Sequence, residues 1–170
     1  FAALEQRLPQ LHDLGIGILW LMPLHERGIE KAFGSPYCVK DYFGIHKPYG
    51  TPGDLKRLVA AAHRHGMRVI IDWVPNHSSW DNALVKEHPE YYQKDAVGKI
   101  VQAQTWGDVA QLDYGHKDLR AYMIKAMAHW VETFDIDGFR CDVSWNVPVD
   151  FWVAARKRLE KLKPVFMLAE

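Results

Sequence analysis

Two acidic residues, Asp142 and Glu170, stand where chemistry can be done. Asp142 lies in DGFRCDVS (137–144), which reads as a short strand entered from a tight Asp-Gly turn. Side chains two apart on a strand share a face, so Arg140 and Asp142 point one way while Phe139 and Cys141 point the other. Glu170 closes VFMLAE, another short apolar strand. A third strand, MRVIIDWV (67–74), carries Asp72 near its end and is followed by Asn76 and His77. Parallel neighbours lie roughly 4.8 Å apart, so carboxyl groups at adjacent strand ends can fall about 5–5.5 Å apart. That separation suits double displacement at a sugar's anomeric carbon. One carboxylate attacks; the other protonates the leaving oxygen and then deprotonates the incoming water. The two need opposite protonation states. Arg140 is expected to keep Asp142 ionised for attack. Glu170 follows four apolar residues, and burial there is expected to raise its pKa for the acid/base role. Taken alone, Arg140 and Asp142 fit a structural ion pair equally well.

The elements that must position these residues alternate along the chain. Phe1–Leu14 carries Leu4, Leu8, Leu11 and, one step off, Leu14 at helical spacing, and Gly15 ends it. Ile16–Leu24 is a continuous apolar run, as in a strand covered on both faces. Residues 25–50 read as a long loop. Thr51–Gly66 reads as a helix with Thr51 as cap, Pro52 in the first turn and Asp54 completing a capping box. Leu55, Leu58, Val59 and Ala62 form its buried stripe. Residues 78–115 form the longest irregular segment, with a turn near Asp95–Gly98. Leu119–Phe134 and Pro148–Lys163 are further helices. Helices alternating with short apolar strands imply right-handed crossovers and a parallel sheet, either doubly wound or part of a (β/α)8 barrel. Polar residues concentrated at C-terminal strand ends favour the barrel, whose active sites lie there.

Composition excludes several classes. The chain has 170 residues, about one domain, and zero formal net charge, which indicates no nucleic-acid partner. No apolar run reaches the roughly 18 residues of a membrane span. Two cysteines make no disulfide framework. There is no phosphate-binding glycine fingerprint and no His-rich ligand set; His63 and His65 are two apart on a helix and do not face together. Ser78, Ser79 and Ser144 lie in no nucleophile-elbow pattern. The chain begins inside a helical pattern and stops after a strand, so both ends read as cut.

DWVPNH (72–77), GFRCDV (138–143) and LAE (168–170) resemble the first three signature regions of the alpha-amylase family, glycoside hydrolase family 13. Tyr37, Asp41-Tyr42, YGT (49–51) and the Asp54–Gly66 helix match the approach to the first region. The resemblance spans the whole chain. It implies a retaining α-glycosidase acting on α-1,4-glucans such as starch or maltooligosaccharides. The fold implied is α/β, the second to fifth strands of a (β/α)8 TIM barrel. Residues 78–115 would be a short domain-B-like excursion after the third strand, and 1–170 a partial catalytic domain. The remaining strands and the fourth signature region would lie outside these residues. By motif, Asp142 matches the nucleophile, Glu170 the acid/base and Arg140 the residue that orients the nucleophile. Asp72 and His77 match sugar-binding residues, and Tyr37 the aromatic that stacks on that sugar.

Two departures from the family pattern bear on metal and acceptor. Trp145 and Asn146 replace a common Lys-His pair. Gln111 sits where many members place a calcium-binding aspartate, and Asn76 matches another calcium ligand. A neutral amide is a poorer ligand for a hard cation than a carboxylate, so the case for calcium is weak. Asn76 is equally readable as a structural hydrogen-bonding residue. The chemistry itself needs no cofactor. The expected partner is an α-glucan, with no nucleic acid and no membrane. Location stays open, with secretion or the periplasm favoured over the cytoplasm. Two alternatives stand beside hydrolysis: a transglycosylase or isomerase of the same family, and a non-catalytic member serving as a binding or partner subunit. The 170 residues alone are expected to be inactive and prone to aggregate through open sheet edges.

Overall fold

The computed structural model describes all of residues 1–170. Four parallel strands form the central sheet: β1 (Ile18–Leu21), β4 (Arg68–Trp73), β8 (Gly138–Cys141) and β9 (Phe166–Ala169), side by side in that order. The crossovers carry α3 (Pro52–Arg64), α5 (Lys117–Phe134) and α6 (Val149–Leu159). One face of the sheet, with Leu19, Val69, Ile71, Trp73 and Phe139, is buried in the core shared with these helices. Parallel strands in register with helices on one face make a sector of a barrel. No helix is long and apolar enough to cross a membrane.

Local sequence explains each helix. Thr51 Oγ1 accepts the Asp54 N–H at 3.2 Å while Asp54 Oδ2 accepts the Thr51 N–H at 2.7 Å, the predicted capping box, worth about 1 kcal/mol. The stripe of Leu55, Leu58, Val59 and Ala62 is buried as expected. On α5, Leu119, Met123, Met127, Trp130 and Phe134 are all buried. Gly138 opens β8 at φ +154°, where a Cβ would sit 1.8 Å from the carbonyl oxygen of Phe166. Only glycine lets β8 and β9 pair there. Asp137, just before it, anchors the strand's entry. It accepts from the Val69 N–H at 2.8 Å and pairs with His63 at 2.7 Å and Lys163 at 3.1 Å.

Four expectations are corrected. The first helix is broken into α1 (Ala2–Glu5) and α2 (Leu8–Asp13), because Pro9 has no N–H to continue a helix from the first turn. Leu14 lies beyond it and is 77 % exposed. The strand expected to be covered on both faces is covered on one: Ile18 and Trp20 are 44 % and 49 % exposed. They share the sheet's inner side with half-exposed Phe166 and Leu168, and no element of the chain packs across it. The loop at 25–50 contains an antiparallel pair, β2 (His25–Arg27) with β3 (Val39–Ile45). Residues 78–115 include α4 (Leu84–Glu87). They also hold most of a second antiparallel sheet, β5 (His77–Ser79), β7 (Trp106–Gln111) and β6 (Gln102–Ala103), in that order.

His25, the first residue of β2, turns its side chain into the core. It is fully buried, edge-on to Tyr42, Trp73 and Trp130 at centroid distances of 5.9, 5.3 and 5.1 Å, and neither ring nitrogen has a hydrogen-bond partner. Burial lowers its pKa to about 3. The unfolded chain, with an ordinary histidine, therefore takes up a proton first as pH falls from about 6.5. Stability is lost across the window from about 6.5 down to 3, on the order of 3 kcal/mol by pH 4. His25→Phe removes this term. Thermal unfolding at pH 7 and pH 4 should show a smaller acid-induced drop in Tm for the variant than for the wild type.

Candidate active site

The site is built at the C-terminal ends of β4, β8 and β9. Register places Asp72 directly beside Arg140, and Arg140 beside Leu168. Two residues further on, Asp142 and Glu170 emerge from neighbouring strands. Strand β8 ends abruptly because Val143 adopts a left-handed conformation at φ +47°, unusual for a β-branched residue and costing about 1–3 kcal/mol. That turn faces the Val143 N–H toward Glu170 Oε2, which accepts it at 2.8 Å.

One guanidinium holds three carboxylates. Arg140 Nη1 donates to Asp72 Oδ1 at 2.9 Å and to Asp142 Oδ1 at 2.7 Å, while Nη2 lies 3.2 Å from Glu170 Oε1. Its plane rests over the Trp20 ring at 5.4 Å. Asp72 is fully buried, and its Oδ2 also accepts from the Trp20 indole N–H and the Tyr37 hydroxyl, each at 3.3 Å. Asp142 Oδ2 accepts no hydrogen bond. A cleft of about 290 Å³ opens here, lined by Tyr37, His77, Trp106, Asp108, Asp142 and Glu170 among others. The chain thus brings Tyr37, Asp72, His77, Arg140, Asp142 and Glu170 into one site.

The electrostatics differ from expectation in two ways. Burial, aided by the neighbouring Asp72 and Glu170 charges, pushes the Asp142 carboxyl up to about 6 in spite of Arg140. Burial raises Asp72 as well. Burial opposes the Arg140 charge, but its bonds to Asp72 and Asp142 outweigh that and hold its pKa above the ordinary value. A single cation cannot neutralise three acids, so Asp142 is ionised at neutral pH without the wide margin the lone pair promised. Glu170, expected to be buried, has a half-exposed side chain, because its strand's inner face is uncovered. His77 is buried, which lowers its pKa to about 4 and keeps it neutral. Burial, then Asp72, raises the Tyr37 hydroxyl to about 12, so it stays a donor.

Trp20, Trp106 and Asp108 were not legible as site residues. Trp20 alternates with Ile18 and Met22 inside an apolar run, which reads as packing. Trp106 reaches the cleft only because β7 pairs with β5, setting its ring edge-on to His77 at 5.6 Å. Asn76 lies outside the cleft lining. Its Oδ1 accepts from Gln111 Nε2 at 3.0 Å and Asn146 Nδ2 at 2.7 Å, so N–H groups occupy the oxygen a cation would need. Three amides with no carboxylate do not fit a calcium ion.

The comparisons bear on the family and the fold. Residues 2–106 match the family described as alpha amylase, catalytic domain. An alpha-amylase structure from Lactobacillus plantarum is 44 % identical, with a TM-score of 0.95 over 99 % of this chain and 41 % of that one. A noncanonic maltogenic alpha-amylase, AmyB from Thermotoga neapolitana, is also 44 % identical, with a TM-score of 0.92 over 99 % and 40 %. Among curated relatives, alpha-amylase MalA of Haloarcula japonica is 31 % identical over 89 % of this chain. The 1,4-alpha-glucan branching enzyme GlgB of Oceanobacillus iheyensis is 31 % identical over 81 %. The chain spans 23 % and 21 % of the length of these two relatives.

The shared cation yields a direct prediction. Asp72→Asn removes one negative neighbour of Asp142 and leaves an oxygen to accept from Arg140. The Asp142 pKa should fall from about 6 by roughly one unit, read by carboxyl NMR titration. An unchanged value would mean that the Asp72 charge does not reach Asp142. The four parallel strands are one sector of a (β/α)8 barrel, and the chain belongs to the alpha-amylase family of glycoside hydrolases and transglycosylases.

Proposed function

We propose that this chain carries the catalytic pair of a retaining enzyme acting on α-1,4-glucans. The observation that carries this is the buried Arg140, bonded to the carboxylates that end two adjacent strands beside a cleft lined by Tyr37 and His77. Asp142 attacks the anomeric carbon through its unpartnered Oδ2, while Arg140 holds Oδ1. Glu170 protonates the departing glycosidic oxygen, and its contact with Arg140 opens as the sugar enters. After the aglycone leaves, Glu170 takes a proton from the acceptor, which attacks the glycosyl ester and frees Asp142. Tyr37 offers its ring face to the sugar, and the neutral His77 and the Asp72–Tyr37 pair hold its hydroxyls. No cofactor takes part in these steps. The partner is an α-glucan oligo- or polysaccharide, and residues 78–115 wall one side of the cleft as a domain-B-like excursion.

Sugar in place of water as acceptor is a second reading, favoured by the branching enzymes among the relatives at 29–34 % identity. A non-catalytic role has less support, since the acid pair and its arginine are all present. The test uses the intact protein with maltooligosaccharides, following reducing ends and new linkages together. Asp142→Asn should lower both hydrolysis and transfer by at least about a thousandfold. Turnover near wild type would refute the assignment. Release of reducing ends without new linkages favours hydrolysis, and new α-1,6 linkages favour branching.

A further inference from the structure

The amide group of Gln111 occupies a position where carbonyl oxygens converge. Its Nε2 lies 2.9 Å from the Asn76 backbone oxygen, 3.0 Å from Asn76 Oδ1 and 3.1 Å from the Leu112 backbone oxygen. Gln111 is 5 % exposed and Asn76 is fully buried. Three acceptors around one point are the environment of a cation, filled here by an N–H donor. Asn146 Nδ2 adds a second donor on Asn76 Oδ1 at 2.7 Å. The three residues come from the segment after β4, the end of β7 and the turn after β8. They therefore tie the excursion to the ends of β4 and β8.

The same contacts settle the orientation of the Asn76 amide. With Oδ1 taken by two N–H donors, its Nδ2 must face His77 Nδ1, 3.1 Å away. An NH2 group can only donate, so Nδ1 carries no proton and Nε2 carries it. We propose that Asn76, Gln111 and Asn146 form a metal-free clasp that replaces calcium at this position and fixes His77 as the Nε2–H tautomer. Asn76 is a positioning residue: it acts on the sugar through His77.

The positioning role rests on the sugar-binding role proposed for His77, whereas the metal-free clasp does not, and the readouts of both are independent of activity. In the intact protein, titration with calcium chloride should give no heat of binding, and neither calcium nor a chelator should shift Tm. Gln111→Asp withdraws the donor and leaves a carboxylate among the carbonyl oxygens. That variant should bind calcium, unfold at a lower temperature without it and recover with it. In ¹⁵N spectra of histidine-labelled protein, assigned with His77→Gln, His77 should be the Nε2–H tautomer. Asn76→Asp keeps the shape but turns the donor facing Nδ1 into an acceptor, so His77 should switch to Nδ1–H. Stoichiometric calcium binding by the wild type, or a Tm that drops with chelator, would overturn the metal-free clasp. A wild-type Nδ1–H tautomer would overturn the positioning role. The calcium and chelator outcomes need only the wild-type protein, so a variant that fails to fold does not shelter the metal-free clasp.

Discussion

The site depends on a single buried guanidinium. Arg140 is 8 % exposed and faces Asp72, Asp142 and Glu170 at 2.7 to 3.2 Å. Burying a charge of this kind costs several kcal/mol, and one cation among three acids does not restore neutrality. A fold selected for stability alone has no use for such an excess of negative charge. Its consequence is chemical: Asp142 is held by one oxygen, ionised near neutrality and free at the other. The strain at Val143 belongs to the same construction. It turns the chain one residue after Asp142 and gives Glu170 a backbone N–H to rest on.

The rest of the chain holds that cluster in place from three sides. Asp137 and Gly138 fix how β8 enters the sheet, Asp137 by bonds to α3, β4 and the segment after α6, and Gly138 by letting the backbones of β8 and β9 approach. Below, the aromatic floor of Tyr42, Trp73, Trp130 and Phe139 supports the strands. Above, the small antiparallel sheet brings Trp106 and Asp108 to the cleft and is stitched to the strand ends by side-chain amides.

Much of this was legible in the sequence. The helix at 52–64 announced itself through Thr51 and Asp54, and the parallel sheet, though not its strand order, followed from alternation and handedness. The convergence of Asp72, Arg140, Asp142 and Glu170 followed from strand ends alone. What escaped was set by pairing across long sequence distances. Nothing local in Trp106 tells that β7 lies against β5, and Trp20 is indistinguishable from its apolar neighbours. The irregular appearance of 25–50 and 78–115 hid two antiparallel sheets, because their strands lack a clean apolar–polar alternation and lie among Gly- and Pro-containing turns. The Asp142 pKa was misjudged chiefly because its burial, the largest cause of the upward shift, is set by the tertiary fold, and secondly because of where its charged neighbours lie in sequence. Its arginine is adjacent in sequence, whereas the acids that compete for that arginine, 70 residues before and 28 after, are not.

The central claim is that Asp142 forms the covalent bond to the sugar. The most direct measurement is mass spectrometry of peptides from the intact protein after reaction with a fluorinated α-glucosyl fluoride. Such a substrate forms the glycosyl ester faster than water removes it. The account predicts one hexosyl adduct per chain, on the peptide containing Asp142, and its disappearance in Asp142→Asn. An adduct on Glu170 or on any other carboxylate, or turnover of α-glucan with no trappable ester, would contradict it.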